Sequence, residues 1–223
     1  MATNFYRVSE SGWRAVAADS GPIAGAMRRL ARMMLIGLAL ALLASAAFGG
    51  TATRVEPLAD GASTEPPPGF VGFCMREPDA CTNRGADANV TLDDRTRALL
   101  SAVNDRVNRA IAYRSDPDHY GLANRWTLEV ADGYGDCKDY ALAKREALRA
   151  AGLPDSALRI AVVRTPKNEL HAVLTVDTDQ GVLVLDSLTS EIRPWSETPY
   201  AWVMRQGADS ALHWVSLKAP QST

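Results

Sequence analysis

Three residue types with a shared role in acyl-transfer chemistry stand out in this chain: a thiol at Cys137, an imidazole at His171 and a carboxylate at Asp186. Cys137 follows Gly135-Asp136 and falls in the first turn of a segment with helical spacing. Unpaired backbone N–H groups at a helix start favour negative charge. A thiolate is the species so favoured. The same N–H groups could bind an oxyanion during acyl transfer. His171 leads the apolar run Ala172-Val173-Leu174, and Asp186 closes the run Val182-Leu183-Val184-Leu185. An ionised Asp after four apolar residues needs a partner. An antiparallel hairpin turning through Asp177 to Gly181 pairs residue 171 with residue 186, and so sets the imidazole beside the carboxylate. A thiol with a base in reach, and a base oriented by a third group, is what nucleophilic catalysis requires. Taken singly, each residue has a plainer reading. An unpaired Cys is often a small buried hydrophobe, and a His leading an apolar strand is often core. A metal centre of the three lacks any Cys-x2-Cys or His-x3-His spacing. His119, in a polar loop, and His213, before Trp214, read as structural or exposed.

The elements that must position these residues follow from periodicity. Thr91 is a candidate N-cap, with Asp93 and Asp94 suited to a first turn. Leu99, Val103, Val107 and Ile111 then recur every four residues with charged residues between them, which predicts an amphipathic helix. Residues 114–135 read as loop. A second helix is expected from about Asp136 to Ala150, ended by Gly152-Leu153-Pro154. Beyond it the pattern changes to strands at Ile160–Val163, His171–Val176 and Gly181–Leu185, with a fourth at Ile192–Trp195. Tyr200–Arg205 reads as a short helix and Leu212–Leu217 as a last edge strand. Helices followed by antiparallel strands give an α+β domain.

The chain has 223 residues, 47% hydrophobic and 22% charged, with a formal net charge of -2. That is a globular composition with no basic surface for nucleic acid. Arg28, Arg29 and Arg32 precede an apolar run from Met33 to Phe48 that contains Ala44-Ser45-Ala46, a small-x-small pattern. This is the form of a secretory signal peptide. The run is shorter than the roughly 20 residues of a spanning helix. Residues 1–48 therefore read as a cleaved signal, with Met27 as an alternative start, or as an uncleaved membrane anchor. Either places the rest of the chain in the periplasm. Residues 49–68, with Pro66-Pro67-Pro68, read as a flexible leader, and residues 69–219 as the domain. An oxidising compartment permits disulfides. Of Cys74, Cys81 and Cys137, the first two are close in sequence and form the natural pair, leaving Cys137 free.

Gly135-Asp136-Cys137-Lys138-Asp139-Tyr140-Ala141-Leu142 with Lys144-Arg145, then Leu170-His171-Ala172-Val173-Leu174, then Val184-Leu185-Asp186, closely resembles the bacterial transglutaminase-like cysteine peptidases, in particular their LapG-type periplasmic branch. The likeness extends to Phe73-Cys74, Cys81, Asp116, Tyr120-Gly121, Trp126 and Thr198-Pro199-Tyr200. It implies a papain-like or transglutaminase-like fold, with helices packed on an antiparallel sheet and the catalytic Cys at a helix N-terminus. It implies a triad of Cys137, His171 and Asp186. It also implies a protein substrate, in the studied branch a large surface adhesin whose cleavage releases cells from a biofilm, and an inner-membrane cyclic di-GMP receptor as partner. Trp126 is then a candidate wall of the substrate groove, and Asp136 and Asp139 are candidate calcium ligands. Lys138 stands where the family's next acid is expected. An ammonium removes an oxygen ligand and adds repulsion, so calcium binding is expected to be weak or absent and no cofactor to be required. Lys138 would also add positive charge beside the thiol. Three functions follow: an endopeptidase, a transamidase or amidase using the same acyl-enzyme, or a non-catalytic periplasmic binding module.

Overall fold

The computed structural model describes residues 57–82 and 89–217. The expected signal or anchor at residues 1–48 lies outside them. Among the described residues no helix is long and apolar enough to cross a membrane.

The chain builds a seven-stranded antiparallel sheet from β1 (Asp60–Thr64), β4 (Leu158–Arg164), β5 (Leu170–Thr178), β6 (Gly181–Leu185), β7 (Arg193–Pro194), β8 (Ala201–Gln206) and β9 (Trp214–Leu217). The strand order is β1-β9-β8-β4-β5-β6-β7. The helices are α1 (Pro68–Arg76), α2 (Asp94–Ala110), α3 (Asp116–Tyr120) and α4 (Cys137–Ala150). A two-residue parallel pair, β2 (Ala112–Tyr113) with β3 (Tyr134–Gly135), leads directly into α4.

Alternation along the central strands feeds two cores. Ile160, Leu174 and Val176 join Leu100, Val103, Val107, Tyr140 and Leu148 of α2 and α4 on one side. Ala161, Val163, Val173, Val182 and Val184 meet Trp195 and Trp202 on the other. A sheet buried on both faces explains the near-continuous apolar runs in β4 to β6.

Several boundaries differ from the sequence reading. Asp93, not Thr91, caps α2, its carboxylate accepting from the Thr96 N–H at 2.7 Å. Leu100 rather than Leu99 is buried on that helix. Residues 114–135 hold α3, capped by Ser115 with a Pro in its first turn, and β3. Residues 201–206 are a strand, not a helix. The apolar-polar run there is too short for periodicity to decide, and β4 offers a sheet edge to complete. The last strand, β9, is not an edge, because β1 pairs outside it. That same pairing shortens the expected flexible leader: Asp60–Thr64 is strand and α1 begins at Pro68. Cys74 in α1 and Cys81 in the following 3-10 turn form a disulfide, and Cys137 is free.

Candidate active site

Cys137 is the first residue of α4, and Asp136 is its N-cap. The helix starts here because a capping box closes it. The Asp136 carboxylate accepts from the Lys138 N–H at 3.1 Å, and the Asp139 carboxylate reaches back to accept from the Asp136 N–H at 3.0 Å. The other Asp139 oxygen accepts from the Thr127 N–H at 3.1 Å, which fastens the preceding loop to the same helix end. Burial pushes Asp139 up to about 6, the neighbouring N–H donors and Lys138 opposing. Gly135 has no room for a side chain: a Cβ there would lie 3.0 Å from the Asp139 side chain.

His171 enters from the second residue of β5, opposite Val163 of β4. Its Nε2 lies 2.7 Å from Asp186 Oδ1, and both residues are buried. The β5–β6 register differs from the expected one. Leu174 faces Leu185, Val176 faces Leu183 and Thr178 faces Gly181, two residues out of step with a 171–186 pair. The turn is tighter than expected. An even shift leaves every side chain on its original face, so His171 and Asp186 become diagonal rather than direct neighbours. The imidazole spans the difference.

Three further groups hold the pair. Asp186 Oδ1 also accepts from the Leu188 N–H at 3.0 Å, and Oδ2 accepts a short bond from the Tyr200 hydroxyl. The Tyr200 ring lies 5.9 Å from the His171 ring. Asn108 Nδ2 of α2 donates to the Asp186 carbonyl at 2.9 Å and to the Thr189 carbonyl at 3.1 Å, while Asn104 steadies Thr189 and Ser190. Tyr200 and the two Asn were missed at the sequence level. A buried Asn104 on the apolar stripe of α2, with Asn108 one turn on, was the available signal.

Burial disfavours the imidazolium, but the hydrogen bond to Asp186 and interaction with the Cys137 sulfur outweigh it and hold His171 up at about 9. Asp186 is pulled the other way: burial would raise it, yet the bonds from His171, Tyr200 and Leu188 keep it below the usual carboxylate range. Lys144, seven residues along α4 from Cys137, is fully buried and pushed down to about 7 by that burial, with the Asp186 charge opposing.

Cys137 and His171 line one open cleft of about 410 Å³, walled by Pro67, Asn124, Trp126 and Leu170. Trp126 is almost wholly buried, its Nε1 donating to Asn124 Oδ1 at 3.1 Å and its ring set edge-on to Phe70. Its small exposed part lies among the residues that line the cleft. His119 and His213 stand elsewhere, paired with Asp132 and Asp209.

Asp116, Asp136 and Asp139 each place one carboxylate oxygen within 4.8 Å of the others. With Lys138 among them, the donor set does not suit calcium. The Lys138 ammonium lies 3.0 Å from Asp116 Oδ2 and bonds tightly to Asp136 Oδ2, so its charge is turned to these acids and only partly offered to the thiol. Both Asp139 oxygens are taken by backbone N–H groups. Calcium takes roughly six to eight oxygen ligands, some of them from water or backbone carbonyls, and here it would first have to displace the ammonium.

A family model, described as bacterial transglutaminase-like cysteine proteinase, matches residues 60–222. Comparison with curated proteins gave no match. Among solved structures the chain is similar to calcium-bound LapG of Legionella pneumophila, with 29% identity over 57% of this chain and 75% of that chain at a TM-score of 0.47. A second structure of that LapG has 33% identity over 50% of this chain and 65% of the other, with a TM-score of 0.44. Its EGTA-treated form has 32% identity over 50% and 63%, with a TM-score of 0.44. The family match spans the whole sheet, the helix that opens at Cys137 and the cleft, and the chain belongs to the bacterial transglutaminase-like cysteine proteinases.

Proposed function

We propose that this cysteine peptidase acts as an exported endopeptidase through a triad of Cys137, His171 and Asp186. The observation that carries the reading is the station of His171. Its Nε2 is committed to Asp186 at 2.7 Å, which leaves Nδ1 for the thiol at the start of α4 in the same cleft. In the reaction, His171 holds the thiol proton as an imidazolium. The thiolate attacks the scissile carbonyl, and the negative oxygen is met by N–H groups at the helix start. The imidazolium then gives its proton to the leaving amine. Water, deprotonated by the same ring, releases the acyl group. Asp186 keeps the ring oriented throughout and stabilises it each time it carries the proton.

The substrate reading is a protein of the cell surface or periplasm. Leu170, 61% exposed, and Tyr113, 73% exposed, stand on the cleft rim and suit an extended segment with apolar side chains. The motif resemblance makes a large adhesin the leading candidate, with an inner-membrane cyclic di-GMP receptor as the controlling partner.

The test compares proteins shed by cells carrying wild-type protein with those shed by cells carrying Cys137→Ala, with the N-termini of shed fragments sequenced. A fragment with a new N-terminus is expected from the wild type. Its production should fall at least ~10³-fold in the variant. Equal shedding from both strains would contradict the assignment.

A further inference from the structure

The loop carrying Asp116 and the N-terminus of α4 converge on one small acidic cage. Asp116 is only 2% exposed, and its Oδ1 is buried with no hydrogen-bond partner. Its Oδ2 accepts from the Arg125 N–H at 2.5 Å and from the Lys138 ammonium at 3.0 Å. Asp136, which caps the helix of Cys137, accepts from the same ammonium. Asp139 completes the cage from the next residue of the helix after Lys138. Three carboxylates this close repel one another strongly where solvent is excluded, and a cation among them relieves that repulsion. Two of them converge on a cation supplied by the chain itself.

We propose that Lys138 is a tethered replacement for a divalent metal. Its ammonium bridges Asp116 to Asp136, and so ties the upstream loop to the first turn of the helix that presents Cys137. The lysine stem brings the charge in covalently, so no ion has to be recruited, and the protein's stability is indifferent to calcium. The side chains of Lys138, Asp116 and Asp136 are 13%, 2% and 12% exposed, so solvent screens the bridge little. The Asp116 oxygen that the ammonium leaves unpartnered is a further oxygen the cage could offer to a cation. With the ammonium removed, the cage becomes a site for a divalent cation. This inference concerns the cage alone and does not depend on the triad assignment.

The test is thermal melting and calorimetric titration of the purified protein with calcium chloride, against EGTA. For the wild type the expected result is the same Tm in both and no binding heat. Lys138→Ala should melt lower in EGTA, recover by about 5 °C or more in calcium chloride, and bind one calcium per chain. Lys138→Arg, which keeps the charge, should stay indifferent to calcium. If Lys138→Ala does not fold in EGTA, folding in calcium chloride supports the proposal. Failure in both, with Lys138→Glu also failing in both, overturns it. Stoichiometric calcium binding by the wild type overturns it too, as does a Lys138→Ala variant that melts like the wild type and ignores calcium.

Discussion

His171 is held between the Asp186 carboxylate and the Cys137 sulfur, and this fixes how the site should respond to pH. Its folded value of about 9 lies above the ordinary imidazole value of about 6.5. A raised His contributes stability that is full below about 6.5 and is lost as pH rises through about 9. In the proposed mechanism the same proton is the one donated to the leaving group, so peptidase activity is expected to fall along an alkaline limb near pH 9. In Asp186→Asn the limb should move toward neutrality, because the largest favourable contribution to the imidazolium is gone. A pH–rate profile of kcat/KM for both proteins checks this, and an unmoved limb would show that Asp186 does not govern the ring. The residues of this site differed in how legible they were. Cys137, His171 and Asp186 announced themselves as polar groups at the ends of apolar or helical runs. The predicted hairpin register was two residues off, yet it still brought His171 and Asp186 together, since an even slip keeps faces unchanged. Tyr200 was not legible as part of the site. Its hydroxyl reaches Asp186 from a segment whose strand character depends on the neighbouring β4 and not on local sequence.

At the scale of elements, the site depends on where α4 begins. The capping box and the Thr127 contact place Asp139 at the centre of that junction, fully buried and accepting from two backbone N–H groups. Asp139→Ala leaves both donors buried without partners. Relief of the buried carboxylate offsets part of the penalty, and the net loss is expected to be about 2 kcal/mol. Chemical denaturation of the variant measures it, and because the role is backbone capping, calcium chloride should restore none of the loss. Unchanged stability would mean that the loop and helix end are held by other contacts. The start of α4 could be read from Gly135-Asp136 and the acids around it. The start of α3 was missed although Ser115-Asp116-Pro117 carries a cap followed by a first-turn Pro, because its five residues are too few for any periodicity.

Across the whole molecule, the long-range ties explain what no local pattern could reveal. Asp60 of β1 receives Arg159 at 2.6 Å and Arg205 at 2.7 Å, and both guanidinium groups also reach Asp177. These pairs join residues from opposite ends of the described chain and make a strand of what composition presented as leader. The α+β class, the two main helices and the central hairpin were legible because their apolar periodicity is long and regular. The sheet order and the outer strands were not, since pairing between distant segments leaves little local trace. The central claim, that Cys137 is a nucleophile driven by His171, is tested most directly without knowledge of the natural substrate. Purified protein is mixed with p-nitrophenyl acetate, the nitrophenolate burst is followed, and the acylated residue is located by mass spectrometry. The account predicts a burst of one equivalent with the acetyl group on Cys137, slowed by ~10²-fold or more in His171→Ala. Acetylation at another residue, or an equal burst in His171→Ala, would contradict it.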